Sequence, residues 1–298
     1  MRPALVLRPS AKINLMLRVG PARGDGYHDV RTLLQSLALS DTLTISARSG
    51  PFGLSTRAPG VPADHTNLVW RAAECLWAEL GRGGTARDAH VRLDKQIPPA
   101  AGLGGGSADA AAALVGLNTI WEARKSRRDL VRMAATLGAD VPFFLFGGTA
   151  LGVDRGDEVY PIDDIGRFGV VLIKPSFGVS AADAYRWLDE DRGAPGTPRA
   201  ESPRRFDLDV GWPNGPVTLG NDLEAPVARR HPGIGEMVEA CVKEGALGAA
   251  MTGSGSAVFG VFPESGARRA AQRLQRPDWL VLLTRTLGRR EAARRLGL

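Results

Sequence analysis

The chain has 298 residues, 44% of them hydrophobic and 23% charged, with a formal net charge of +6. That length supports one large or two ordinary domains, each burying its own core, and no apolar run approaches the ~20 residues that a membrane span needs. Cys75 and Cys241 are far apart, and no two of His28, His65, His90 and His231 have metal-ligand spacing, which leaves a disulfide framework, a zinc centre and a GxSxG hydrolase elbow without support.

At the N-terminus Arg8, Pro9 and Lys12 interrupt the apolar residues too early for a signal peptide, so the expected location is cytoplasmic. From Ala11 to Val19, apolar Ile13, Leu15, Leu17 and Val19 alternate with Lys12, Asn14, Met16 and Arg18. Period two predicts a strand with Lys12 and Asn14 together on the face opposite the core. Gly24, Asp25 and Gly26 predict a turn, and Thr42 to Ala47 a strand. Tyr27 and His28 follow that turn as an aromatic and hydrogen-bonding pair suited to gripping a planar base, although an isolated pair of this kind more often packs and caps. Asp64 to Leu80 repeats apolar residues at helical spacing, with Thr66 or Asn67 as its N-cap. His90 to Lys95 predicts a short strand leading into the most distinctive stretch of the chain.

That stretch is KQIPPAAGLGGGSADAAAALVGLNTIW, Lys95 to Trp121. Gly102, Gly104, Gly105 and Gly106 precede Ser107 and an alanine-rich helix predicted from Ala108 to Leu117. Glycines permit positive φ and close approach of a ligand to the main chain. A helix starting there points unpaired N–H groups outward with the positive end of its dipole behind them, which makes an anion site. A Walker A loop would require a lysine where Ser107 or Ala108 stands, a Rossmann fingerprint a glycine at Ser107, and a protein-kinase loop a later HRD segment; none is present. The simpler alternative is a flexible loop before a helix capped by Ser107, but four glycines in five positions exceed what a cap requires.

Beyond it, Ser126 and Asp129 form a capping-box start for a helix ending at Gly138. Asp140, two residues before Pro142, has the position of another N-cap. Gly147 to Gly152 predicts a turn into a strand, Val170 to Ile173 a short strand, and Gly178 to Trp187 a helix capped by Ser180. On that helix Tyr185 or Trp187 is placed to add a second aromatic wall. Five prolines from Asp191 to Pro216 predict an exposed loop. Asn221 to Glu224 predicts a helix start, Gly253, Ser254 and Gly255 a tight turn between two apolar runs, Ala267 to Leu274 a last helix and Trp279 to Arg285 a last strand. Arg285, Arg289, Arg290, Arg294 and Arg295 predict a solvated basic tail.

Pro98 to Ala108, PPAAGLGGGSA, resembles the second motif of the GHMP kinases, small-molecule kinases whose glycine-rich loop wraps the ATP phosphates. PSAKINL from Pro9 resembles their first motif and MTGSGSAVFG from Met251 their third, while DGYH from Asp25, LGADVPF from Leu137 and NDLE from Asn221 resemble segments of one branch. The resemblance implies an α+β fold: a ribosomal-S5-like N-terminal domain over residues 1–154, a ferredoxin-like C-terminal domain over 155–298, and the active site in the cleft between them. It implies ATP and Mg²⁺ as cofactors and a small-molecule acceptor, a cytidyl diphosphate of methylerythritol phosphorylated on its 2-hydroxyl, rather than nucleic acid.

By the same resemblance Lys12 and Asp140 are catalytic, the lysine neutralising developing charge and the aspartate facing the acceptor hydroxyl and pairing with that lysine. Pro98, Pro99, Ala100, Ala101, Gly102, Leu103, Gly104, Gly105, Gly106, Ser107 and Ala108, with Asn67 and Lys95, fall to the nucleotide. Asn14, Tyr27, His28, Tyr185, Thr252 and Gly253 fall to the acceptor, Tyr27 stacking on the base and His28 bonding its edge. Ser107 is the candidate to touch the metal, for which no other protein ligand is assigned. Ala100 and Ala101 stand where many relatives carry glycine, which predicts altered ATP affinity and an unaltered reaction. Two rivals share some of these features: a GHMP kinase with another acceptor, and a nucleic-acid-binding module, which the scarcity of aromatics among the C-terminal arginines argues against.

Overall fold

The computed structural model describes residues 3–193 and 219–298. Three sheets organise them. The first orders Leu5–Leu7, Thr42–Pro51, Arg87–Asp94 and Gly53–Thr56, with only the last pair parallel. The second orders Gly220–Asn221, Ser10–Ala22, His28–Ser40, Thr149–Val153 and Glu158–Pro161, parallel only in its first pair. The third orders Gly248–Met251, Val258–Phe262, Gly169–Pro175 and Trp279–Arg285, antiparallel throughout. Its chain order of strand, helices, two strands, helix and strand gives the ferredoxin-like half of a two-domain α+β molecule.

The alanine-rich helix runs from Gly105 to Ile120, starting three residues earlier than its composition predicts, because the glycines themselves form its first turn. Ala110 to Ala113 are fully buried, and at Gly116 a Cβ would lie 2.3 Å from the Ile45 side chain. Small residues thus let this helix lie directly on the first sheet and against the helix Leu68–Glu79. Asn67 caps that second helix through the Val69 N–H at 2.9 Å. A third core, including Ile13, Leu15, Leu33, Leu172 and Phe259, joins the second and third sheets, so the two halves meet through packed side chains.

Several sequence expectations change. The strand Ser10–Ala22 is buried on both faces up to Gly20 apart from Arg18, so Lys12 and Asn14 do not face solvent. Such two-sided burial also hides the strand His28–Ser40, whose VRTLLQSLALS run carries no clean period of two. The expected division after Asp154 falls within the hairpin joining Thr149–Val153 to Glu158–Pro161, so the chain stays in the second sheet as far as Pro161.

The C-terminal arginines are not a loose tail. The helix Arg289–Leu296 docks, with Arg289 donating to the Thr149 and Ile162 carbonyls and Arg295 to that of Ala38. Of the loop expected from Asp191, residues 191–193 belong to the helix Ala181–Gly193, and the rest, to Pro216, lies outside the described residues. Among the described residues no helix is long and apolar enough to cross a membrane.

Candidate active site

The glycine arc is held from both sides. Lys12 N–H donates to the Leu103 carbonyl at 3.0 Å, and Gly104, at φ +70, is the N-cap of the helix. A Cβ there would meet the Phe144 ring at 2.7 Å and Lys12 Cγ at 2.9 Å, so only glycine suits this position. Ser107 therefore does not cap the helix. Gly102, at φ +72, lies under the Thr252 carbonyl, where a Cβ would come within 2.1 Å of the oxygen. Ala100 adopts φ +50 without being a glycine, a strained left-handed conformation costing about 1–2 kcal/mol.

Lys12 Nζ lies 2.8 Å from Asn14 Oδ1 and 3.2 Å from Asp140 Oδ2. The lysine side chain is 4% exposed and that of Asp140 38%; the acid faces the cleft and draws the buried ammonium toward it. Asp140 stands at the N-cap of the short helix Val141–Phe144, but its side chain makes no capping bond, contrary to the position's usual use. Asn14 is fixed in turn: its Nδ2 donates to Thr32 Oγ1 at 2.7 Å and its backbone N–H to Thr252 Oγ1 at 3.1 Å. Thr252 is itself fully buried and links the first-motif strand to the glycine arc through the Gly102 carbonyl. Its placement is that of a brace, while Gly253 and Ser254 reach the open space.

Two cavities share the arc as a wall. One, of about 800 Å³, is lined by Lys12, Asn14, Asp140, Tyr27, His28 and Tyr185. The other, of about 400 Å³, is lined by Asn67, Lys95 and the residues from Pro98 to Ser107. Gly102, Gly104 and Ser107 belong to both. Ala108 points into the core, its N–H already bonded to the Gly104 carbonyl.

At the far end of the larger cavity Tyr27 is half exposed, with the Arg155 guanidinium 5.3 Å from its ring centre. Tyr185 is the aromatic that faces this cavity, 5.0 Å from the His28 ring, while Trp187 packs on His231. Burial, with the Asp140 charge beside it, pushes the Tyr185 phenol up to about 12.

Behind the smaller cavity Lys95 is anchored between Asp41 and Asp109, whose side chains are 0% and 3% exposed. Burial, opposed by Lys95, lifts the Asp109 carboxyl well above the ordinary carboxylate range. For Lys95, burial favours the neutral amine, but the Asp109 and Asp41 charges outweigh it and hold the ammonium above its ordinary value. Asp41 also accepts from the Gln96 and Ile97 N–H groups, fixing the turn into the arc. Asp41, Asp109, Thr32 and Asp189 were not found from the sequence. Asp41 lies 54 residues from the lysine it meets and Asp189 161 residues from His28, and no local pattern marks such pairs.

The chain matches the models of the GHMP kinases N terminal domain over residues 67–148 and of the GHMP kinases C terminal domain over 208–277. A protein of Anaeromyxobacter dehalogenans named 4-diphosphocytidyl-2-C-methyl-D-erythritol kinase is 45% identical over 274 residues, covering 90% of this chain and 83% of that one. A protein of the same name from Moorella thermoacetica is 43% identical, covering 95% and 99%. A crystal structure of 4-(cytidine 5'-diphospho)-2C-methyl-D-erythritol kinase superposes with a TM-score of 0.77 at 33% identity, covering 95% of this chain and all of that one. Homoserine kinase from Cytophaga hutchinsonii, at 18% identity and a TM-score of 0.69, shares the fold.

Proposed function

This chain belongs to the GHMP kinases, and we propose that it transfers the γ-phosphoryl group of ATP to the 2-hydroxyl of 4-diphosphocytidyl-2-C-methyl-D-erythritol, a step in making isoprenoid precursors. The observation that carries this reading is the single glycine arc serving as a wall of two cavities, with the Lys12 and Asp140 pair at 3.2 Å on one side of it.

ATP lies in the smaller cavity, its phosphates against the N–H groups of Gly104 to Ser107 and the positive end of the helix. The acceptor lies in the larger one, its base between Tyr27 and Tyr185 beside His28 and its alcohol beside Asp140. In transfer the acceptor oxygen bonds to the γ-phosphorus while the bond to the β,γ-bridging oxygen breaks, ADP leaves, and the hydroxyl proton passes to Asp140. Lys12, held by Asn14, counters the charge on the transferring oxygens. A loose transition state of this kind depends on placement and charge neutralisation more than on covalent help.

When bound, Mg²⁺ would neutralise phosphate charge. Ser107, whose position borders both cavities, is the residue that would hold the ion beside the phosphates; among the described residues no group of three or more His, Cys, Asp or Glu stands together as a cage.

A coupled ATPase assay tests the reading. ADP formation is expected only when the cytidyl substrate is added; turnover with homoserine or mevalonate and none with the cytidyl substrate would reassign the acceptor.

A further inference from the structure

His28 opens the strand His28–Ser40, and its side chain is only 7% exposed. Its Nε2 lies 2.9 Å and 3.1 Å from the two carboxylate oxygens of Asp189. A carboxylate only accepts, so Nε2 carries the proton. Among the described residues the His28 side chain makes no other hydrogen bond, and both residues line the larger cavity. In the neutral ring Nδ1 is then left as an acceptor.

The helix Ala181–Gly193 makes this arrangement with one face. Asp189 stands four residues after Tyr185, so both side chains reach the same ring, the aromatic at 5.0 Å and a tilt of 32°. One element thus presents an apolar surface for a base and fixes the proton of the imidazole beside it. The consequence concerns which base is accepted. Cytosine carries an amino donor at position 4, and uracil carries a carbonyl acceptor there. An acceptor nitrogen pairs with the first and repels the second. Buried polar groups left unpaired in this way discriminate more strongly than any loss of apolar contact.

The geometry points to Asp189 as a specificity-determining residue that holds the proton on His28 Nε2, presents Nδ1 to the 4-amino group of a cytidine diphosphate, and so excludes uridine analogues. This rests on the acceptor reading given above for the larger cavity. Asp189 does not enter the transfer chemistry; it acts through His28.

The test is calorimetric binding of CDP and UDP, with a saturating non-hydrolysable ATP analogue present, to the parent protein, Asp189→Leu and Asp189→Asn. Asp189 is half exposed on a helix surface, a position where leucine leaves the core untouched. The parent is expected to prefer CDP. Asp189→Leu is expected to bind CDP about tenfold more weakly, the loss of roughly one hydrogen bond, with its CDP-to-UDP ratio falling toward one. Asp189→Asn, whose carbonyl oxygen still accepts from Nε2–H, is expected to keep most of the preference. In steady state the leucine variant raises KM for the cytidyl substrate while kcat at saturation holds.

A leucine variant with the parental CDP-to-UDP ratio, or a parent without a preference, overturns the inference. Absence of phosphoryl transfer to the cytidyl substrate overturns the kinase reading instead, and the CDP and UDP comparison still decides the role of Asp189.

Discussion

Replacing Gly102 with alanine probes the contact between the glycine arc and the third-motif turn. The new methyl would lie 2.1 Å from the Thr252 carbonyl oxygen and 3.3 Å from that of Gly255. Ordinary contact needs ~3.5 Å, so one loop must retreat by more than 1 Å. The backbone at φ +72 adds about 1–2 kcal/mol for a residue with a Cβ, and overpacking typically adds about 1–3 kcal/mol. A combined loss of about 2–5 kcal/mol corresponds to a fall in melting temperature of roughly 5–15 °C.

The same displacement moves the phosphate cradle, and misplacement on this scale costs on the order of 100-fold in rate when it reaches reacting groups. At the arc, KM for ATP is expected to rise at least about tenfold. Gly106→Ala is the control: its Cβ would meet only Leu68 Cδ1, at 3.7 Å, with no positive φ, so its stability should hold or rise by at most about 1 kcal/mol. Thermal unfolding by circular dichroism and steady-state kinetics at varied ATP measure both effects. If Gly102→Ala melts within a degree of the parent and keeps its ATP dependence, the two loops do not brace each other and the reasoning fails.

Asp140→Asn should lower kcat by about 10²–10⁴ with little change in ATP affinity; unchanged turnover in the coupled assay would remove the acid from the mechanism. Ala100→Gly should relieve left-handed strain and raise stability by up to about 1 kcal/mol, read as a higher urea midpoint. Thr252→Val leaves the buried Asn14 N–H without its partner and should cost about 1–3 kcal/mol, with parental stability counting against the brace. Glu224, half-buried and accepting from the Met251 N–H at 2.7 Å, has its carboxyl raised by partial desolvation against that bond. A raised acid contributes most below its unfolded pKa and loses that contribution as pH rises through the folded value, so Glu224→Gln should gain stability over the parent at pH 7 and lose that advantage near pH 4, measured by paired melts.

Much of the chemistry was legible along the chain because it is carried by local backbone requirements. The glycines around Gly104 announce a phosphate-type helix start because positive φ and close approach to the main chain both favour glycine, and Ser126 with Asp129 announces a helix boundary through bonds three residues apart. Resemblance then ordered the motifs at Lys12, Tyr27, Gly102, Asp140 and Gly253. What the sequence alone could not decide is where distant residues converge. The alternation in Ser10–Ala22 sets Lys12 on the face opposite the core and gives no sign that this face is buried too; the Asp41, Lys95 and Asp109 cluster joins three separate segments; and Asp189 meets His28 only because a helix of the second half folds over a strand of the first. Local conformation is set by each residue's own backbone and its near neighbours, whereas charge pairing and proton placement are set by burial and by partners that packing alone brings together.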